Sequence, residues 1–159
     1  MSRKRIQDEA NTLIAELPPF PAPWDIGELC RLLARRRGKP LEIHSLNLPA
    51  LPFGLWHSNG RADYIVYRGG ITGYHRDHTI LHEICHMLAG HNLRAAPGEQ
   101  ADDVDVSELL QQAMRNRRSN YEEELAETFA STALRLASRS PVAPSSAFEQ
   151  RAAAMFGAA

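Results

Sequence analysis

The sequence predicts an α+β fold that is mainly helical and includes a small three-stranded antiparallel sheet. Apolar residues recur at helical spacing in four segments, which are residues 3–16, 26–37, 75–89 and 121–137. Between the second and third segments, residues 41–46 alternate with a period of two, and two further strand candidates flank the turn sequence Asn59-Gly60. The length of 159 residues suits one domain with a modest core.

The N-terminal part contains two predicted helices separated by a proline-rich segment. The first, residues 3–16, ends where the prolines of residues 18–23 begin. Asp25 is the predicted N-cap of the second helix, and Glu28 stands three residues on, at the capping-box position. Gly38 is predicted to end that helix, because glycine readily adopts the left-handed conformation of a C-terminal cap.

Three short strands are predicted to follow. Residues 41–46 alternate between apolar and polar side chains, as a half-buried strand does. Residues 53–57 and 64–67 flank Asn59-Gly60, whose two residues tolerate the positive φ angles of a tight hairpin turn. A small antiparallel sheet is the natural interpretation of this pattern.

The remaining helices follow from the apolar pattern and its flanking residues. One spans residues 75–89, and a short one is expected at 107–115. A long helix over 121–137 takes Asn120 as its predicted cap, and a last short one is expected at 146–156. The chain then divides into three parts. Residues 1–24 form an N-terminal helix with the proline-rich segment, residues 25–140 a central domain and residues 141–159 a helical tail.

Composition narrows the classes of function. The net charge of −1 at pH 7 gives no overall case for nucleic-acid or membrane binding. We interpret a basic run at residues 31–39 and an acidic run at 99–108 as solvated surfaces.

The basic N-terminus lacks the apolar run of a secretory signal, and no segment approaches the roughly 20 apolar residues of a membrane span. Two cysteines are too few for a disulfide framework, so we expect a cytoplasmic protein with reduced thiols.

The strongest chemical signal is the sequence His82-Glu83-Ile84-Cys85-His86 within a predicted helix. Residues four apart on a helix differ by about 40° in direction, so both imidazoles project from one face and can reach one zinc ion. In sites of this kind the glutamate does not bind the metal. Glu83 is predicted to take a proton from the water that the metal activates and to deliver it to the leaving group.

A catalytic zinc site needs a third protein ligand and one open position. His91 does not match the spacing of three-histidine zinc motifs, and we interpret it as a C-terminal helix residue that interacts with the helix dipole. A glutamate from the helix over 121–137 is the better source. Glu123 and Glu127 share one face of that helix. One of them can bind the metal while the other orients a ligand histidine. Spacing alone leaves four candidates open, which are Glu122, Glu123, Glu124 and Glu127.

Two stretches of the sequence are similar to the motifs of a known family. One is residues 82–91, which read HEICHMLAGH and follow Arg76. The other is Glu123-x-x-Ala126-Glu127-x-Phe129-Ala130. Together they resemble the ImmA/IrrE-type metallopeptidases, as does the order of an early helix, a small sheet with a hairpin and then the motif helix. The resemblance covers roughly residues 25–137.

The resemblance implies a zincin-like metallopeptidase domain in which His82, His86 and Glu123 bind Zn²⁺ and Glu83 is the general base. It also implies cytoplasmic cleavage of a protein substrate, a repressor or regulator that is often a helix-turn-helix protein, without direct nucleic-acid binding by this chain. Glu127 stands where the family has Asn or Asp, so the resemblance supports a role in orienting a ligand histidine less closely than it supports the metal ligands. Residues 134–137 also depart from the family pattern. This departure weakens what the resemblance implies about the substrate cleft and leaves the metal site unaffected.

Several other side chains near the motif can assist catalysis. His75 and His78 lie upstream on the same helix and can line the cleft. A tyrosine can stabilise the oxyanion of the tetrahedral intermediate, and the candidates are Tyr64, Tyr67 and Tyr74. Cys85 is expected to pack in the core rather than to act as a nucleophile.

Two functions other than peptide hydrolysis stay open. The first is a regulatory protein that binds zinc and cleaves nothing, and the second is a toxin-like component controlled by a partner. A degenerate metallopeptidase would be expected to lose the base or a ligand, whereas this chain keeps Glu83 together with a full candidate ligand set. The sequence therefore favours a zinc-dependent peptidase.

Overall fold

A computed structural model describes residues 2–47, 54–91 and 118–139. Within these ranges it contains four helices and three strands, which confirms the predicted α+β class. The helices are α1 (Arg3–Ile14), α2 (Ile26–Arg37), α3 (Gly73–Ala89) and α4 (Asn120–Arg139). The strands are β1 (Leu41–Leu46), β2 (Gly54–Ser58) and β3 (Asp63–Arg68). The helices predicted at 107–115 and 146–156, and the tail over 141–159, lie outside the described residues.

Local capping chemistry sets the ends of α2. The Asp25 side chain accepts a hydrogen bond from the backbone N–H of Glu28 at 2.9 Å, as the sequence predicts. Gly38 ends α2 with φ of +66°, a left-handed conformation that glycine adopts without steric penalty. Gly90 ends α3 in the same way.

The N-cap of α4 differs from the prediction. Ser119, rather than Asn120, accepts a hydrogen bond from the backbone N–H of Glu122, at 3.1 Å. The Glu122 carboxylate accepts one in return from the backbone N–H of Ser119, at 3.0 Å. This reciprocal capping box satisfies two donors at the start of the helix and places Asn120 inside its first turn.

The sheet is mixed, so the prediction of an antiparallel sheet is wrong. The strand order is β1-β3-β2. β2 and β3 form the predicted antiparallel hairpin, although a four-residue loop, residues 59–62, joins them in place of the predicted tight turn. β1 pairs in parallel with β3. β3 is the central strand, and Ile65 and Val66, which point to opposite faces, are both buried. The alternation in residues 41–46 fits an edge strand of either direction, because side-chain alternation carries no information about the sense of pairing.

The core surrounds α3, which packs against α4 on one side and against β2 and β3 on the other. α1 packs on α4 and contributes Ile6 and Ala10 to the same apolar cluster. The largest fully buried apolar side chains are Phe129, Leu29, Leu33, Ile65, Ile80, Leu81 and Ile84. Among the described helices, none combines the length and apolar character needed to cross a membrane.

Candidate metal centre

The candidate site lies where α3 packs against α4. His78, His82 and His86 are four residues apart and form one stripe along α3. Glu123 and Glu127 are likewise one turn apart on α4. Small side chains of α4 let the two helices approach closely, because three of its alanines are fully buried. These alanines are Ala126, Ala130 and Ala133.

Donor atoms of His82, His86 and Glu123 converge on one point. The Nε2 atoms of the two histidines are 3.1 Å apart. The Glu123 carboxylate lies 3.1 Å from His82 Nε2 and 3.4 Å from His86 Nε2. A zinc ion with tetrahedral ligands at about 2.0–2.1 Å separates those ligands by about 3.3–3.4 Å. The three side chains therefore have the spacing of a metal-binding set, and of the four candidate glutamates Glu123 is the one that faces both histidines.

The second ring nitrogen of each histidine is also engaged. Glu127 Oε1 lies 2.8 Å from His82 Nδ1, and the other oxygen of Glu127 lies 3.5 Å from His78 Nε2. His91 Nδ1 lies 2.9 Å from His86 Nδ1. A carboxylate at Nδ1 holds the His82 ring in place and favours a proton on that nitrogen, which leaves Nε2 free to bind a metal. The contact with His91 holds the His86 ring in place. His91 thus contacts His86, a member of the donor set. The sequence predicted only an interaction of His91 with the helix dipole.

Burial keeps His86 in its neutral, metal-binding form. The side chain is fully buried, and this burial lowers the pKa of His86 to about 2, with the nearby charge of Arg118 acting in the same direction. Glu123 differs, since 46% of its side chain is exposed. A cavity of about 500 Å³ between α1 and α4 is lined in part by Glu123 and Glu127, so these two carboxylates border an open space.

Glu83 lies beside the converging donors but is not one of them. It is almost fully buried, and Arg118 donates a hydrogen bond from Nη1 to Glu83 Oε2 at 3.2 Å. Burial raises the pKa of Glu83, while the charge of Arg118 opposes that rise. The start of β2 also comes close to Glu83, because a Cβ atom on Gly54 would lie 3.1 Å from Glu83 Cγ and 2.6 Å from Thr79 Cγ2.

The other predicted helpers are spread over the molecule. Tyr64 is buried and stacks near the rings of His44 and His57 on the sheet. Tyr74 is 66% exposed, and its ring lies near that of His78. Burial raises the pKa of the Cys85 thiol to about 12, which disfavours the thiolate that a nucleophile would need.

Two residues of the site were missed by sequence reasoning. A glycine at the start of a strand can mark a close approach of backbones, and Gly54 was open to that inference. Arg118 carries no comparable signal, because nothing in its neighbourhood along the chain indicates an ion pair with a residue 35 positions away.

Comparison with known protein families, with curated proteins and with solved structures found no match to this chain.

Proposed function

We propose that this protein is a zinc-dependent peptidase with a zincin-like domain, in which His82, His86 and Glu123 hold the metal and Glu83 is the general base. The observation that carries the proposal is the convergence of three donor side chains whose nitrogen and carboxylate oxygen atoms lie 3.1–3.4 Å apart, close to the edge lengths of a zinc tetrahedron.

The donor set supports zinc and a catalytic rather than a structural site. Two neutral imidazoles and one carboxylate are ligands that zinc accepts, and three protein ligands leave one position open. A zinc ion bound there would polarise the carbonyl of a peptide bond and lower the pKa of water.

The chain's own residues supply the remaining functions. Glu127 and His91 orient the two histidines through Nδ1. Glu83 is suited to accept a proton from the attacking water and to pass it to the leaving amine, since burial raises its pKa towards the working pH range. On the resemblance of the two motifs we place the substrate among cytoplasmic regulator or repressor proteins.

One observation favours a second function, that of a zinc-binding regulatory protein without peptidase activity. The Glu83 carboxylate accepts a hydrogen bond from Arg118. In this second function the ion pair would keep that carboxylate away from water, and the metal centre would serve recognition or stability.

Metal analysis combined with cleavage assays tests both functions. Purified wild type, His82→Ala, Glu83→Gln and the control His44→Ala, which alters a surface histidine of β1, are loaded with zinc and dialysed. We expect about one zinc per chain in all but His82→Ala, because that variant loses one of three ligands.

The same proteins are then incubated with a random mixture of unstructured peptides, and new termini are counted by mass spectrometry. Wild type and His44→Ala should cleave, while Glu83→Gln should bind zinc and lose about 10²-fold or more in rate. Wild type without zinc would contradict the metal site. Zinc binding without Glu83-dependent cleavage would favour the regulatory protein.

A further inference from the structure

The ion pair between Arg118 and Glu83 joins the two helices of the metal centre. Glu83 lies on α3, and Arg118 comes directly before the capping box of α4. Arg118 Nη1 lies 3.2 Å from Glu83 Oε2, and the two side chains are only 12% and 4% exposed. The pair is therefore shielded from water. Electrostatic interactions are stronger in such a buried setting than at a surface.

Stability alone does not explain this pair. Removing two charges from water is unfavourable, and buried ion pairs are often replaced by apolar residues without loss of stability. Arg118 Nε is also buried and has no hydrogen-bond partner among the described residues, which adds a further penalty. The apolar residues between α3 and α4, such as Leu81 and Phe129, already pack the two helices together.

Two neighbours confine the Glu83 side chain. Arg118 binds one carboxylate oxygen, and β2 comes so close at Gly54 that a Cβ atom there would lie 3.1 Å from Glu83 Cγ. A side chain confined in this way has little freedom to rotate. General bases act efficiently only when they are held within reach of the proton that they accept.

We propose that Arg118 is a positioning residue that orients the Glu83 carboxylate and balances its buried charge, so that Glu83 can accept the proton of the attacking water. The inference rests on the proposed peptidase function and adds to it a residue that lies outside the metal-binding motif.

The chain offers a matched control for this inference. Arg37 pairs with the buried carboxylate of Asp63 at 3.3 Å, at a different place in the fold. Lys39 and the Trp56 indole also contact that carboxylate, so Arg37→Met leaves it with other partners. Arg37→Met therefore removes a comparable ion pair without touching the metal centre.

The test compares zinc-loaded Arg118→Met, Arg118→Lys, Arg118→Ala and Arg37→Met with wild type, using the best-cleaved peptide of the random mixture. We expect Arg118→Met to keep its zinc and to change KM by less than about threefold, while kcat falls about 10–100-fold because the base loses its orientation. Arg118→Lys should recover part of kcat. Guanidinium ion added to Arg118→Ala should recover part of it too, which a purely structural role would not produce.

The outcomes separate this inference from the proposed function. If wild type shows Glu83-dependent cleavage and the kcat of Arg118→Met equals that of Arg37→Met, the positioning role is wrong and the peptidase stands. Loss of zinc from Arg118→Met, or a kcat that neither lysine nor guanidinium restores, also overturns the positioning role. If wild type binds zinc but shows no Glu83-dependent cleavage, both proposals are overturned.

Discussion

Asp63 and Glu83 are two buried carboxylates with the same kind of partner and different surroundings. Their residues are 1% and 3% exposed, and an arginine lies within 3.3 Å and 3.2 Å of them. Asp63 is also contacted by the Trp56 indole N–H at 3.1 Å and by the Lys39 ammonium at 3.5 Å. Within the described ranges, Glu83 makes one ion pair, with Arg118.

The difference separates a structural carboxylate from one that is available for chemistry. Asp63 joins the end of α2 to the β2–β3 hairpin, and two cations and an indole donate hydrogen bonds to its oxygens. Glu83 has fewer donors and burial raises its pKa, so its ionised form is less strongly stabilised. A buried carboxylate with few hydrogen-bond donors is a candidate base, whereas one with several donors holds parts of the fold together.

The largest expected effect concerns Asp63. Asp63→Ala leaves two cations and an indole without their shared acceptor, and we expect a loss of about 3–5 kcal/mol in the free energy of unfolding. Urea unfolding of the metal-free protein measures this loss. Zinc stoichiometry in the folded protein should stay unchanged. A loss below about 1 kcal/mol would remove the distinction between the two carboxylates.

A smaller effect is expected for the partner of His82. Glu127→Ala removes the carboxylate from Nδ1 of that ring, and zinc affinity should fall about 10–100-fold. Competition with a chelator of known affinity measures the change. Glu124→Ala is the matched control, because Glu124 is an exposed glutamate on the same helix. Equal affinities of the two variants would show that Glu127 does not support the metal site.

The smallest effect is a pH dependence that belongs to the metal centre. Because the pKa of His86 is lowered to about 2, the unfolded chain takes up a proton at this residue below about pH 6.5 while the folded protein does not. The stability of the metal-free protein is therefore fully present above pH 6.5 and falls with pH, by about 1.4 kcal/mol at pH 5.5.

This pH dependence is measured by urea unfolding with a chelator present between pH 5.5 and 7.5. His86→Gln should reduce the slope, because it removes the titrating imidazole, while Asp63→Asn should retain it. An unchanged slope in His86→Gln would assign the pH dependence to other groups.

Local features of the chain were predictable because they depend on neighbouring residues. The Asp25 cap, the Gly38 end of α2 and the hairpin around Asn59 follow from short-range hydrogen bonds and backbone preferences. The direction of β1 was not predictable, since the same alternation suits a parallel or an antiparallel edge. The cap of α4 was missed by one residue because Ser119 and Asn120 are both good capping residues.

The His82–Glu83–His86 motif and its helix were determined by the sequence itself, since residues four apart on a helix share a face whatever surrounds them. Only the tertiary structure decided which glutamate faces both histidines, that His91 contacts His86, and that Arg118 pairs with Glu83. Those contacts depend on how closely and in what register α4 packs on α3. That arrangement results from burying the apolar faces of both helices together, which the spacing of residues along either helix does not specify.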